Sequence, residues 1–76
     1  MRVDAVMAGK IEEIGAVLFY PWAAYVAHIL IPGHKQVLCG RWGDGGKVIS
    51  RPQGVVVCTA CAAKLERQWL KASRGE

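Results

Sequence analysis

Apolar positions recur along the chain with different periods in its different parts. Between Asp4 and Leu18, Met7, Ile11, Ile14 and Leu18 fall at i, i+4, i+7 and i+11, which puts them on one helical face. Asp4 is placed to cap that helix. Gly9 and Gly15 oppose it, each weakening a helix by about 1 kcal/mol relative to alanine, and residues 16–20 suit a strand equally well. The piece Trp22–Ile31 alternates, with Trp22, Ala24, Val26, His28 and Leu30 on one face. Cys61–Ala72 is free of glycine and proline and reads as a helix with Ala62, Leu65 and Trp69 on its core face. Gly75 is its expected stop.

From Ile14 to Ile31 no side chain is formally charged. A run of 18 residues is near the lower limit for crossing a bilayer. Pro21 splits it into strand-length pieces, His28 lies inside it and Glu12-Glu13 precede it, so no membrane segment is expected.

The alternating piece meets Ile31-Pro32-Gly33-His34-Lys35-Gln36 and then Val37-Leu38-Cys39. With Gly33-His34 as a two-residue loop, glycine takes the first central position, as a type II′ hairpin turn requires. Pairing about that centre sets Leu30 against Val37 and His28 against Cys39. Opposed side chains in an antiparallel pair share a face, with Cβ atoms about 4.5–5.5 Å apart. That spacing suits two ligands of one metal. His34 would sit at the turn tip and reaches the same site only if the hairpin gives way to a loop.

Residues 40–54 form a loop with five glycines, a turn signal at Asp44-Gly45 and a short candidate strand at Lys47-Val48-Ile49-Ser50. Trp42 within it is expected as a lid over the metal site, or else as an exposed contact. The β-branched run Val55-Val56-Val57 then feeds Cys58-Thr59-Ala60-Cys61, two thiols that can grip one ion from a tight turn. Helix N-terminal N–H groups beside them favour the thiolate form.

With 76 residues the chain is one domain, close to the size where a hydrophobic core alone contributes only a few kcal/mol. We divide it into an N-terminal helix or strand segment, 1–25, and a zinc module, 26–74, carrying the Gly-rich loop 40–54. The fold expected is α+β: a β-hairpin plus a C-terminal helix opened by the CxxC turn. A structural zinc ion adds roughly 10–16 kcal/mol of apparent binding energy to folding. An apolar fraction of 53% excludes wholesale disorder. Three cysteines, two at metal-ligand spacing and with no secretory pattern before them, point to a reducing cytoplasm over a disulfide framework.

Zinc is the expected cofactor. His28-x10-Cys39-x18-Cys58-x2-Cys61 offers three thiolates and one imidazole, soft donors that select zinc over hard cations. Four protein ligands close the coordination sphere, as in a structural site.

Val26-Ala27-His28, Val37-Leu38-Cys39-Gly40-Arg41 and Val57-Cys58-Thr59-Ala60-Cys61 with Leu65 following resemble a loose group of short zinc-finger-like proteins. That group is found in actinobacteria and their phages and is mostly of unassigned function. The resemblance covers residues 26–65 and implies the same ligands, His28, Cys39, Cys58 and Cys61. The N-terminal 25 residues have no counterpart in it.

A strand running into Cys-x-x-Cys at a helix start is also the local plan of thiol–disulfide enzymes. Only fifteen residues follow Cys61, too few to complete a βαβ unit, and no downstream proline faces the sulfurs. No triad, paired-carboxylate site or phosphate-cradling loop is present. The chain is therefore expected to be non-enzymatic, with no small-molecule substrate.

Net charge is +4, unevenly spread: residues 1–34 hold two basic and three acidic side chains, residues 35–76 eight and three. Lys64, Arg67, Lys71 and Arg74 form one stripe on the C-terminal helix, and Arg41, Lys47 and Arg51 add charge from the loop. Nucleic acid is the leading expected partner, in a regulatory, phage-type role. The rival is a protein partner, a host protein or a second copy, held by Tyr20, Trp22, Tyr25 and Trp42, because aromatic anchors dominate protein interfaces.

Overall fold

The computed structural model describes residues 1–22, 25–41 and 45–74. The protein is a small α+β fold in the order α1 (Ala5–Glu13), β1 (Val17–Pro21), β2 (His28–Leu30), β3 (Gly46–Ile49) and α2 (Thr59–Ser73). The three strands form one antiparallel sheet with β1 in the middle, in the order β2-β1-β3.

The Asp4 carboxylate caps α1, accepting a hydrogen bond from the Met7 N–H at 2.8 Å. Gly15 ends the helix three residues before Leu18. Its φ of +72° lets the chain reverse, with Gly15 N–H donating to the Glu12 carbonyl and Ala16 N–H to the Ile11 carbonyl. That paired closure is a Schellman motif, and glycine is the residue that adopts its left-handed position without steric cost. The helical face expected to run through Leu18 therefore stops at Ile14, and Leu18 serves in β1.

β1 is the central strand, and its Leu18, Phe19 and Pro21 are all buried. A strand covered on both faces needs a near-continuous apolar run. This accounts for the uncharged stretch from Ile14 to Ile31. No helix among the described residues is long and apolar enough to cross a membrane.

The region expected as a two-strand hairpin is built differently. β2 pairs with β1, as Val17–Leu30, Leu18–Ile29 and Phe19–His28. The turn is centred on Pro32-Gly33: the His34 N–H bonds to the Ile31 carbonyl at 3.0 Å, and Gly33 has φ +92°. Proline pre-set for the first central position and glycine at positive φ in the second make a type II turn. It displaces the Gly33-His34 centre by one residue. One rung of the expected register is present, Leu38 N–H to the Ile29 carbonyl at 2.8 Å. Beyond it, residues 37–41 curl into a tight loop and do not extend β2's ladder.

The candidate strand in the glycine-rich loop is β3, paired with β1 as Leu18–Ile49, Phe19–Val48, Tyr20–Lys47 and Pro21–Gly46. The N-terminal segment packs on the rest of the chain. Val3, Ile11, Leu18 and Phe19 share one buried cluster with Ile29, Val57, Cys61 and Leu65, and α1 lies against α2. Lys10 Nζ stands 2.5 Å from the Glu66 carboxylate and 4.6 Å from the Trp69 ring centre, while the Trp69 indole N–H donates to Glu13. Trp42, Asp44, Ala24 and Gly75 lie outside the described residues, so the expected lid, turn signal and helix stop do too.

Two glycines give a paired test of this packing. A Cβ at Gly46 would fall within the contact radius of the Tyr20 backbone carbonyl and 2.6 Å from Phe19 Cζ, whereas one at Gly9, inside α1, meets nothing within 4 Å. Gly46→Ala should destabilise by at least about 1–3 kcal/mol. Gly9→Ala should stabilise by about 1 kcal/mol. Denaturant unfolding of the metal-loaded protein measures both, and equal effects would contradict the β1–β3 pairing.

Candidate metal centre

The structure brings His28, Cys39, Cys58 and Cys61 together, with all four candidate ligand atoms within 4.8 Å of one another. They come from distant parts of the chain, so the backbone must dock three segments. Ala27 performs the central docking. Its N–H donates to the Val56 carbonyl at 2.9 Å, and its own carbonyl accepts from Cys58 N–H at 2.8 Å, a parallel bridge that lays residues 56–58 alongside it. His28 and Cys58 therefore enter the site from adjacent backbones.

On its other side, the Val55–Val57 run is held by the N-terminal residues. Val3 N–H bonds to the Val55 carbonyl and Val57 N–H to the Met1 carbonyl, at 2.9 and 2.7 Å. Cys39 arrives on the loop that follows the type II turn. Leu38 N–H on Ile29, Val37 N–H on the Arg41 carbonyl and Gly40 N–H on the Val37 carbonyl define that loop, and Gly40 turns it at φ +94°. Cys58 is the N-cap residue of α2, one turn earlier than a helix starting at Cys61 would place it. Cys61 follows in the first turn, so its side chain and that of Cys58 converge on the same cluster.

His28 presents Nδ1 to the sulfurs, 3.4 Å from Cys39 Sγ and 3.5 Å from Cys61 Sγ. Its other nitrogen, Nε2, is buried without a hydrogen-bond partner among the described residues, and the residue is only 3% exposed. A buried unpaired polar atom costs about 1–3 kcal/mol, so the ring is held here by what Nδ1 does. One N–H cannot align with two sulfurs at once, whereas a nitrogen lone pair directed at a shared cation satisfies the arrangement.

Electrostatics favour the ligand forms unequally. Burial, with the Arg41 charge second, lowers the His28 pKa and keeps the imidazole neutral, the form a metal binds. Burial raises the Cys58 thiol, but the N–H groups of Cys61 and Ala60, then the Cys39 and Cys61 side chains, outweigh it and leave it below its ordinary value. Cys61 is pushed up to about 12, chiefly by burial. A cation binding there must displace the Cys61 proton, so metal uptake releases it to solvent.

His34 lies exposed on the surface beside Gly33, Lys35 and Gln36 and is no part of the cluster. An aromatic that sequence reasoning missed is Phe19. It pairs directly with His28 across β1–β2 and is buried, which places its side chain on the imidazole's face of the sheet. Only the β1–β2 pairing reveals it. Lys64, Arg67, Lys71 and Arg74 line one shallow depression on the outer face of α2 with Gln68 and Leu70. The loop cations are dispersed. Arg41 stands near the metal centre, Lys47 is exposed on β3, and Arg51 lines a separate groove with Ile11 and Glu12.

The ligand geometry predicts that His28→Ala and Cys61→Ser lower metal affinity at least about 100-fold while His34→Ala leaves it within about twofold. Competition with a chromophoric chelator measures this. Equal loss from both histidine variants would contradict the Nδ1 placement.

Compared with protein-family models, with curated proteins and with solved structures, the chain finds no match.

Proposed function

We propose that this protein is a small zinc-binding module, that its metal is structural, and that it contacts nucleic acid through the outer face of α2. The spacing of the ligands carries the zinc reading. Bond lengths of about 2.3 Å to sulfur and 2.0–2.1 Å to nitrogen at tetrahedral angles put nitrogen and sulfur ligands about 3.6 Å apart. The 3.4 and 3.5 Å separations from His28 Nδ1 match that figure. Three thiols and an imidazole are the donor set zinc prefers to hard cations. Four protein donors fill a tetrahedral sphere and leave no position for a substrate, which supports a structural role and a non-enzymatic protein.

Nucleic acid is supported by how charge is sorted on α2. Lys64, Arg67, Lys71 and Arg74 are all exposed and share one face. Glu66, the one acid in α2, is drawn to Lys10 of α1. A cationic helix face without acids is suited to phosphates. The second reading, a module that binds a host protein or another copy of itself, is favoured by Trp22 and Tyr25, 73% and 98% exposed. Large aromatics left in water are candidate interface anchors.

Elemental analysis of chelator-free protein should find one zinc ion per chain. Protein that folds with no metal would overturn the zinc reading. Lys64→Gln with Lys71→Gln should weaken nucleic-acid binding for all sequences alike and lower the salt slope by about 0.9 per lost phosphate contact on duplex DNA. Zinc content should be unchanged, because exposed charges contribute little to folding. If the double variant instead keeps its partner while Tyr25→Ala or Trp22→Ala loses it, the protein-interface reading replaces this one.

A further inference from the structure

The cations on α2 are ordered more finely than a stripe. At 3.6 residues per turn, Cys61, Ala62, Leu65 and Trp69 span an arc of about 100°, and Lys64, Arg67, Lys71 and Arg74 an arc of about 80° on the opposite side. The first set is buried or half-buried, the second exposed. Within the outer arc there are two rows, Lys64 above Lys71 and Arg67 above Arg74. Members of each row are a heptad apart and drift by only about 20° around the axis. Their separation along the helix is about 10.5 Å. Successive bases on one strand of B-form DNA are about 3.4 Å apart, so three steps cover about 10.2 Å. The two intervals coincide.

The rows also differ in chemistry. Arginine's planar fork matches the O6 and N7 edge of guanine, the commonest specific contact in the major groove. Lysine is a strongly hydrated point charge suited to phosphate. The helix itself is free to enter a groove. Its first turn is tied to the metal centre through Cys58 and Cys61, but from Glu66 to Arg74 every residue except Trp69 is exposed. The exposed length is about 13 Å, and a helix with side chains is about 10–12 Å across, against a major groove about 12 Å wide. The A-form groove of duplex RNA is too narrow and deep for side chains to read.

We propose that the nucleic acid is duplex DNA and that α2 lies along its major groove with Arg67 and Arg74 on guanines three base pairs apart. Lys64 and Lys71 hold the adjacent phosphates. The proposal rests on the nucleic-acid reading above and goes beyond it in naming the duplex, the groove and the spacing.

The test is selection from a pool of randomised DNA duplexes by the full, zinc-loaded chain. The best duplex is then compared with a single strand and an RNA duplex of the same sequence. Selected sites should carry two guanines three positions apart. Arg67→Ala should abolish the preference at one of them and Arg74→Ala at the other, each lowering discrimination about tenfold. Both should alter the salt slope less than Lys71→Gln does. Unchanged zinc content confirms that each variant is folded. Salt-sensitive binding without the spaced guanines, or equally tight binding to RNA duplex or single strand, overturns this proposal and leaves the nucleic-acid reading standing. No salt-sensitive binding to any of the three overturns both.

Discussion

The site depends on the two backbone hydrogen bonds of Ala27. They are what join β2 to the strand-like segment leading into α2, and they do so where His28 and Cys58 must meet. Ala27 is completely buried, so the bonds are sheltered from water and their loss would leave two buried backbone groups unpaired. A metal ion held by the four donors would add a second link between the same segments, through side chains. Each linkage makes the other easier to form. With the backbones docked, the four donors are gathered before an ion arrives; with an ion bound, the docking cannot fray without breaking coordination. In a chain of 76 residues, with a core too small to be strongly stable on its own, such mutual support would let a short β2 of three residues suffice.

The N-terminal segment is structurally part of the half that carries the His28–Cys39–Cys58–Cys61 cluster. Residues 1–3 bond to the same Val55–Val57 run from its outer side, so that run is held between Met1–Val3 and Ala27. β1 supplies the centre of the sheet and sets Phe19 against His28. α1 supplies the surface on which α2 rests. A fragment beginning at residue 26 would retain all four ligands yet lose one neighbour of nearly every element that positions them.

Much of this was legible because its signals are local. Asp4 as a cap, the α2 core face at Ala62, Leu65 and Trp69, and the strand at Lys47–Ile49 all follow from short-range pattern. The association of His28 with Cys39 was also legible, although through a hairpin that the protein forms only in part. The turn moved because Pro32 at the first central position is pre-organised, an advantage the Gly33-His34 centre lacks. Non-local pairings were not legible. Val17–Pro21 has no charge or alternation to mark its neighbours, so nothing in it indicated β2 on one side and β3 on the other. Phe19 could not be linked to His28 for the same reason. Gly15 was read as a cost inside a helix, when it is the residue that ends one.

The acids explain how a modest surplus of positive charge becomes a sharply divided surface. Composition alone leaves Asp4, Glu12, Glu13 and Glu66 available to neutralise nearby cations. In the fold, Asp4 accepts from the first turn of α1, Glu13 accepts the Trp69 indole N–H, and Glu66 meets Lys10. The one ion pair among these, Lys10–Glu66, lies at the surface and adds little to stability. The buried Cys61, Ala62 and Leu65 set the rotation of α2 about its own axis, and the contacts of Glu13 with Trp69 and of Lys10 with both Trp69 and Glu66 agree with it. A turn of one residue, about 100°, would pull part of that buried face out of the core and part Glu66 from Lys10. The buried face thus decides which side of α2 the protein presents, the surface contacts agree with it, and the side left open is the one that carries only Lys64, Arg67, Lys71 and Arg74 as its charges.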